Sequence, residues 1–167
     1  MMEALRNVMG WDSMEQFVRA LESRGEILRV SHPVDLKFEA GCIADRLVKR
    51  GGPAVIFDQP RLEDGSISKY ALAMNLFGTR ERTNLALGVD RPAEIGEMMV
   101  GLMKPDIGSL LRKPWTGLGL LRQGISMAPR KVSKGKCQQV RIEDPDVTRL
   151  PIPTTWPFDG GPFMTLP

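Results

Sequence analysis

Five prolines fall within the last seventeen residues of the chain, and they restrict its fold more than any other feature of the sequence. They are Pro151, Pro153, Pro157, Pro162 and Pro167. Proline fixes the backbone angle φ and lacks an N–H donor, so closely spaced prolines exclude a helix and the interior of a sheet. We therefore expect an extended surface segment here.

Apolar residues lie on both sides of this proline-rich segment. Residues 137–142 are predicted to form a short strand that ends at an acidic Asp-Pro turn, and a second strand is predicted to begin near Phe163. Strands so close to the last residue need partner strands from elsewhere. The sequence therefore predicts that the chain is the front part of a larger enzyme.

Composition is that of an ordinary globular protein, with 42% apolar and 26% charged residues. No apolar run approaches the ~20 residues that span a bilayer. The first residues also lack the basic segment followed by an apolar segment that is typical of a secretory signal. Cys42 and Cys137 match no metal or redox spacing, so we expect two buried thiols in a reducing compartment. These observations predict a cytoplasmic location without a transmembrane segment.

Positive charge is concentrated in one part of the chain, although the net charge is only +3. Residues 107–142 contain eight cations and no acid: Arg112, Lys113, Arg122, Arg130, Lys131, Lys134, Lys136 and Arg141. Only Trp115 interleaves them, and no nucleic-acid-binding motif accompanies them. The pattern favours a cationic linker against an acidic neighbouring domain over a nucleic-acid or membrane surface.

Helical and strand patterns alternate along the first hundred residues. An amphipathic stripe indicates a first helix, with Asp12 and Glu15 as its capping box and Gly25 after its end. Further helices are predicted over residues 36–50, over 79–88 and from Asp90, and strands over 26–30, 53–57 and 70–76. This alternation predicts an α/β, or layered α+β, N-terminal domain with a mixed sheet.

Composition changes after this domain and predicts three segments. Residues 1–104 form the N-terminal α/β domain, and residues 105–135 form a basic linker rich in proline and glycine with a short helix. Residues 136–167 begin a second, β-rich domain.

Several motifs suggest chemistry but have incomplete patterns. Gly117 and Gly119 lack the third glycine and the preceding strand of a dinucleotide site. Ser126 lacks the last glycine and the base of a nucleophile elbow. His32, the only histidine, is predicted to be a surface turn residue, and no pairing as general acid and base is defensible for Asp45, Asp58, Glu63 and Asp64.

A predicted corner between a strand and a helix is more distinctive. Asn75 ends a strand, Gly78 permits an unusual backbone angle and Thr79 caps the helix. A purely structural role therefore accounts for all three residues, and a binding role is the alternative. The positive charges of Arg80 and Arg82 oppose the helix dipole at the start of that helix. We therefore expect these arginines to form a salt bridge with an acidic residue at a domain interface.

The order of several motifs resembles the N-terminal part of the UbiD family, the 3-polyprenyl-4-hydroxybenzoate carboxy-lyases and related reversible decarboxylases. The matching stretches are residues 17–34, 43–46, 51–54 with Phe57, Asn75-Leu-Phe-Gly-Thr79, Cys137-Gln-Gln139, and 150–157 with Thr165. They cover almost the whole chain but only about the first third of an enzyme of this family.

The resemblance implies decarboxylation of an aromatic or α,β-unsaturated carboxylic acid, such as a 4-hydroxybenzoate derivative, through a covalent adduct with prenylated FMN. It also implies Mn²⁺ and K⁺ at the flavin phosphate, a homo-oligomer when the enzyme is complete, and a role in ubiquinone or aromatic acid metabolism. The enzyme is expected in the cytoplasm, peripheral to a membrane where the substrate is polyprenylated.

The resemblance also implies where the site lies. Residues 136–167 correspond to the first strands of a split β-barrel that binds the flavin, and Thr165 matches a position beside it. The Glu-Arg-Glu proton network and the metal ligands are expected downstream of Pro167, so no catalytic or metal-binding residue is expected within this chain, and the chain alone is expected to be inactive. Leu166-Pro167 departs from the family's usual continuation.

One alternative stays open from the sequence alone. The chain is also compatible with a stand-alone, non-catalytic interaction module. Such a module would dock on a partner through its cationic segment, residues 107–142, and an open strand edge.

Overall fold

The structure, a computed structural model, describes Trp11 and residues 13–103, 129, 131, 133, 135 and 138–164. The chain divides into two compact units, one of Met1–Asp90 with Asp146–Pro167 and the other of Arg91–Pro145. The segment boundaries drawn from composition, 1–104, 105–135 and 136–167, stay predictions.

Ten elements lie wholly within the described residues: four α-helices, five short strands and one 3-10 turn. The helices are α1 (Met14–Ser23), α2 (Glu39–Lys49), α3 (Arg80–Leu87) and α4 (Ala93–Met103). The strands are β1 (Ile27–Val30), β2 (Val34–Asp35), β3 (Ala54–Phe57), β4 (Pro60–Arg61) and β5 (Leu72–Met74), and the 3-10 turn is Val147–Arg149. The first unit is a small α+β domain, and α4 belongs to the second unit.

A three-stranded mixed sheet lies at the centre of the first unit. Its order is β1-β3-β5, with β1 parallel and β5 antiparallel to β3. Strand β3 is buried at all four positions, as the continuous apolar run of residues 53–57 predicts for a strand covered on both faces. The mixed sheet and its three strands are therefore confirmed, although β5 is shorter than the predicted residues 70–76.

Helices cover the two faces of β3. Val55 and Phe57 pack with Ala40 and Ala44 of α2, whereas Ala54 packs with residues of α1, Phe17 and Leu21. Successive side chains of a strand point to opposite faces, so one strand supplies both clusters. Complete burial of a side chain such as Phe57 contributes about 1.5–3 kcal/mol.

A second sheet contains only two residues in each strand, and the sequence pattern missed it. Val34 pairs with Pro60 and Asp35 with Arg61, in parallel. Because β2 occupies Val34–Asp35, α2 begins at Glu39 and not at residue 36 as predicted. Phe38 precedes α2 with φ of 72°, which breaks the helical conformation before its first turn.

Helix ends follow local side-chain chemistry. Ser13, and not Asp12, caps α1, since its hydroxyl accepts a hydrogen bond from the Gln16 amide over 3.2 Å. Thr79 caps α3 as predicted and accepts from the Arg82 amide over 3.2 Å. Gly88 ends α3 in the left-handed conformation that glycine tolerates, with φ of 67°.

The strand predicted over residues 137–142 is wrong for the part that the structure describes. Residues 138–142 form a short turn and irregular backbone, and Val140 and Ile142 are exposed. Residues 162–164 are also not in a strand, and residues 165–167 lie outside the described residues. An apolar alternating segment without a partner strand has no ladder to join, which explains the difference.

Candidate functional site

Residues 150–164, which we call the lead-in segment, run from the 3-10 turn toward Thr165. Leu150 is extended, the Ile152 amide donates to the Leu150 carbonyl over 2.8 Å, and none of the segment is helical, as the prolines predict. Its one sheet-like contact is a parallel bridge between Thr154 and Lys37. Within the first unit, the lead-in segment is therefore attached at a point just before α2.

Two backbone hydrogen bonds make this attachment. The Thr154 amide donates to the Leu36 carbonyl over 3.2 Å, and the Phe38 amide donates to the Thr154 carbonyl over 2.8 Å. Thr154 is buried. Buried backbone groups need such partners, so the two bonds fix the position of Thr154 against the start of α2.

The next residue of the lead-in segment packs against the helix itself. A Cβ atom added at Gly41 would lie 2.9 Å from Thr155 Cγ2, 3.1 Å from Thr155 Cα and 3.2 Å from Thr155 O. Gly41 is buried in the first turn of α2. Only a residue without a side chain allows the lead-in backbone to approach α2 this closely.

A carboxylate then closes a turn in the lead-in segment. Asp159 Oδ2 accepts from the Trp156 amide over 2.8 Å and from the Thr155 amide over 3.2 Å. Aspartate commonly stabilises turns by accepting from nearby backbone amides. This turn presents Phe158 fully to solvent, and it carries the chain on to Phe163, whose amide donates back to Pro153.

An ion-pair cluster holds the chain where the lead-in segment begins. Arg149 Nη1 lies 3.0 Å from Asp64 Oδ2 and Arg149 Nε lies 3.6 Å from Asp146 Oδ2. Hydrogen bonds from Ser66 first, and then Arg149, lower the pKa of Asp64. Hydrogen bonds from Thr148 first, and then the positive charge of Arg149, lower the pKa of Asp146.

Arg82 is the most deeply buried charged residue among those described, with 1% of its surface exposed. Its Nη1 donates to Glu26 Oε2 over 2.7 Å and its Nη2 donates to the Gly52 carbonyl over 3.1 Å, whereas its Nε has no partner. The expected ion pair at a domain interface is wrong for Arg82, because the pair lies within the first unit. Arg80 is exposed.

The corner between β5 and α3 has the structural role that the sequence indicates. Asn75 has φ of 62° and its side-chain amide donates to the Pro53 carbonyl over 3.4 Å. A Cβ atom at Gly78 would lie 1.5 Å from Asn75 Oδ1, so only glycine fits there. Together with Arg82, this corner satisfies carbonyls that lie just before β3.

The other titratable candidates are surface residues. His32 is exposed, as predicted. Asp45 pairs with Lys49, and Asp58 pairs with Arg29, whose pKa is raised by Glu22 first and then by Asp58. Cys42 is exposed and not buried as expected, and Cys137 lies outside the described residues.

Side chains able to bind a metal ion are not clustered among the described residues. No group of three or more His, Cys, Asp or Glu side chains among them could hold a metal ion. Thr165, the candidate flavin contact, lies outside the described residues, as do the motifs at Gly117 and Ser126. No helix within the described part of the chain is long and apolar enough to cross a membrane.

Comparison with family models assigns both parts of the chain. Residues 18–99 match the 3-octaprenyl-4-hydroxybenzoate carboxy-lyase N-terminal domain. Residues 130–167 match the 3-octaprenyl-4-hydroxybenzoate carboxy-lyase Rift-related domain. The chain belongs to the UbiD family. The resemblance seen in the motifs is therefore confirmed, and what the chain matches is the N-terminal portion of the family.

The two UbiD matches meet at the attachment of the lead-in segment. Phe38 and Gly41 lie within the matched N-terminal domain, whereas Thr154 and Thr155 lie within the matched Rift-related domain. Sequence reasoning missed Gly41 and Asp159 as contacts of this attachment. A glycine near the start of an amphipathic helix was a usable signal, since glycine is a poor helix former and its presence there needs a reason.

Proposed function

We propose that this chain is part of a UbiD-type carboxy-lyase that decarboxylates an aromatic or α,β-unsaturated carboxylic acid. The observation that supports the proposal is the pair of matches, to the family's N-terminal domain and to its Rift-related domain, in that order along the chain. In the net reaction, the bond between the carboxylate carbon and the substrate breaks, carbon dioxide leaves, and a proton takes its place. A 4-hydroxybenzoate derivative is one such acid, and the reverse carboxylation uses the same groups.

Prenylated FMN would supply the electron-accepting chemistry of this reaction, with Mn²⁺ and K⁺ at its phosphate. The proposed role of this chain is to position the backbone that leads into the flavin-binding domain. Residues 136–167 would begin the split β-barrel around the flavin, and the Thr165 hydroxyl would offer it one hydrogen bond. The catalytic groups would come from residues beyond Pro167.

Further properties follow from the same proposal. The complete enzyme would be a cytoplasmic homo-oligomer that takes a small-molecule acid and no nucleic acid. It would be peripheral to a membrane where the acid carries a polyprenyl chain, as in ubiquinone biosynthesis. This chain without the remainder of the enzyme would bind no flavin and release no carbon dioxide.

Native mass spectrometry of the natural protein that contains this sequence tests the proposal. After incubation with prenylated FMN, we expect a mass increase of one flavin for each polypeptide, and no such increase for the 167-residue chain. Thr165→Val replaces the hydroxyl with a methyl group of similar size, so we expect it to weaken flavin binding. A natural protein that never retains prenylated FMN would refute the cofactor and, with it, the proposed reaction.

The same measurement addresses the stand-alone interaction module. The described residues give it no strand edge at 138–142 or 162–164, and its cationic segment lies mostly outside them. If the natural protein has a mass of 18.6 kDa and copurifies with a second polypeptide but no flavin, the module is the better account.

A further inference from the structure

Gly41 is an unfavourable residue for its position in α2 by itself. Glycine in a helix is less favourable than alanine because it has more backbone freedom to lose on folding. Gly96, in α4, has the same chemistry, but a Cβ atom added there would meet nothing within 4 Å. At Gly41 the added atom would meet three atoms of Thr155 within 3.2 Å. The absence of a side chain at residue 41 is therefore tied to the lead-in segment.

Thr155 is fixed from both directions along the chain. On one side, Thr154 exchanges two backbone hydrogen bonds with Leu36 and Phe38. On the other side, Asp159 accepts from the Thr155 amide. The Thr155 backbone therefore cannot retreat from α2 without loss of these bonds, and a side chain at residue 41 would force that loss.

We propose that Gly41 is a positioning residue that seats the Rift-related lead-in segment on the UbiD N-terminal domain. The seat consists of Gly41 and Thr155 in contact, with the Thr154 hydrogen bonds beside them. It fixes the position of the lead-in backbone beside the start of α2. The seat itself does not depend on the proposed decarboxylation; only its effect on turnover rests on that function.

Amide hydrogen exchange, measured by NMR on the 167-residue chain, tests the seat directly. In Gly41→Ala we expect the amides of Thr154 and Phe38 to exchange about tenfold faster or more, because the added methyl displaces Thr155. The Ile56 amide in β3 reports global unfolding and should change little. Gly96→Ala is the matched control, since it makes the same chemical change in a helix with open space around it.

A second-site variant separates this contact from a general loss of stability. Thr155→Ser removes Cγ2, the nearest atom to the added methyl, and retains the backbone bonds. Alone it should leave exchange at Thr154 unchanged, and combined with Gly41→Ala it should restore part of the lost protection, because Thr155 Cα and O still lie 3.1 and 3.2 Å from the added methyl. If Gly41→Ala unfolds the chain, the double variant should recover a measurable folded fraction.

Three results would overturn the seat. The first is normal protection at Thr154 in Gly41→Ala, and the second is a loss of protection that is equal at Thr154 and Ile56. The third is no rescue by Thr155→Ser. In the complete enzyme, turnover of an aromatic acid should follow Thr154 protection across the variants. A wild-type enzyme without carboxy-lyase activity would refute only the proposed function, and the exchange data would still decide the seat.

Discussion

Replacing Arg82 with methionine tests whether a buried ion pair joins α3 to the central sheet. Arg82 is 1% exposed, and its guanidinium contacts Glu26 and the Gly52 carbonyl. Methionine has a similar length and fills most of the apolar space, so a large cavity is not expected. The main change is therefore the loss of two hydrogen bonds inside the first unit.

The expected loss of unfolding free energy follows from these contacts. A hydrogen bond between charged groups contributes about 1.5–3 kcal/mol, and the low end applies because the Glu26 side chain is 42% exposed and returns to water. Loss of the donor to the Gly52 carbonyl costs about 1 kcal/mol more. Arg82 Nε is buried without a hydrogen-bond partner, so its removal relieves a desolvation cost and offsets about 1 kcal/mol of this loss. We expect Arg82→Met to destabilise the chain by about 1.5–2 kcal/mol.

Urea denaturation of the 167-residue chain, followed by circular dichroism, measures this change. Arg80→Met is the matched control on the same helix, since Arg80 is exposed, and it should change stability by less than about 0.5 kcal/mol. Glu26→Gln keeps an acceptor for Arg82 and should cost less than Arg82→Met. A value for Arg82→Met that equals the Arg80→Met control would refute the reasoning.

Three further predictions concern the first unit. Gly78→Ala should destabilise it by about 1–3 kcal/mol in a urea titration, because the new methyl would overlap the Asn75 side chain and displace it. Thr79→Ala should cost about 1 kcal/mol in the same assay through loss of the α3 cap, and Thr79→Ser should retain most of it. Stability should fall with acid as Asp64 and Asp146 are protonated: their pKa values are below 3.8 in the folded chain, so their contribution is complete above that pH and disappears below it.

Each of these predictions has a contrary outcome. A Gly78→Ala chain as stable as Gly96→Ala would show that the corner adapts without cost. Equal losses of stability for Thr79→Ala and Thr79→Ser would show that the hydroxyl of residue 79 does not stabilise α3 as a cap. Urea titrations from pH 5 to pH 2 compare the wild type with a variant in which Asp64 and Asp146 are both asparagine. The same pH dependence in both proteins would show that these carboxyl groups do not contribute.

Regular elements with strong patterns were predictable from the sequence. The apolar run that forms β3 and the stripe of α1 each reflect burial of a whole face, which leaves a periodic signal in the sequence. Strands β2 and β4 were missed because two residues are too few to show any period. The start of α2 was placed too early for the same reason, since β2 occupies the residues before it.

Contacts between residues distant in the sequence were not predictable in this way. Arg82 was predicted to be an interface residue, because a cation at the start of a helix opposes the helix dipole and needs an acidic partner. The sequence does not show which acidic residue that partner is. Its partner, Glu26, lies 56 residues earlier in the chain. Gly41 and Thr155 are still farther apart, and only the fold brings the two family domains together at that point.

Decarboxylation in heavy water by the natural protein that contains this sequence tests the central claim most directly. With prenylated FMN bound and an aromatic or α,β-unsaturated acid supplied, the account predicts one carbon dioxide released for each acid consumed. Deuterium should then appear at the carbon that carried the carboxylate, and ordinary FMN should give neither product. A protein that binds prenylated FMN but neither releases carbon dioxide nor places deuterium in any such acid would contradict the account.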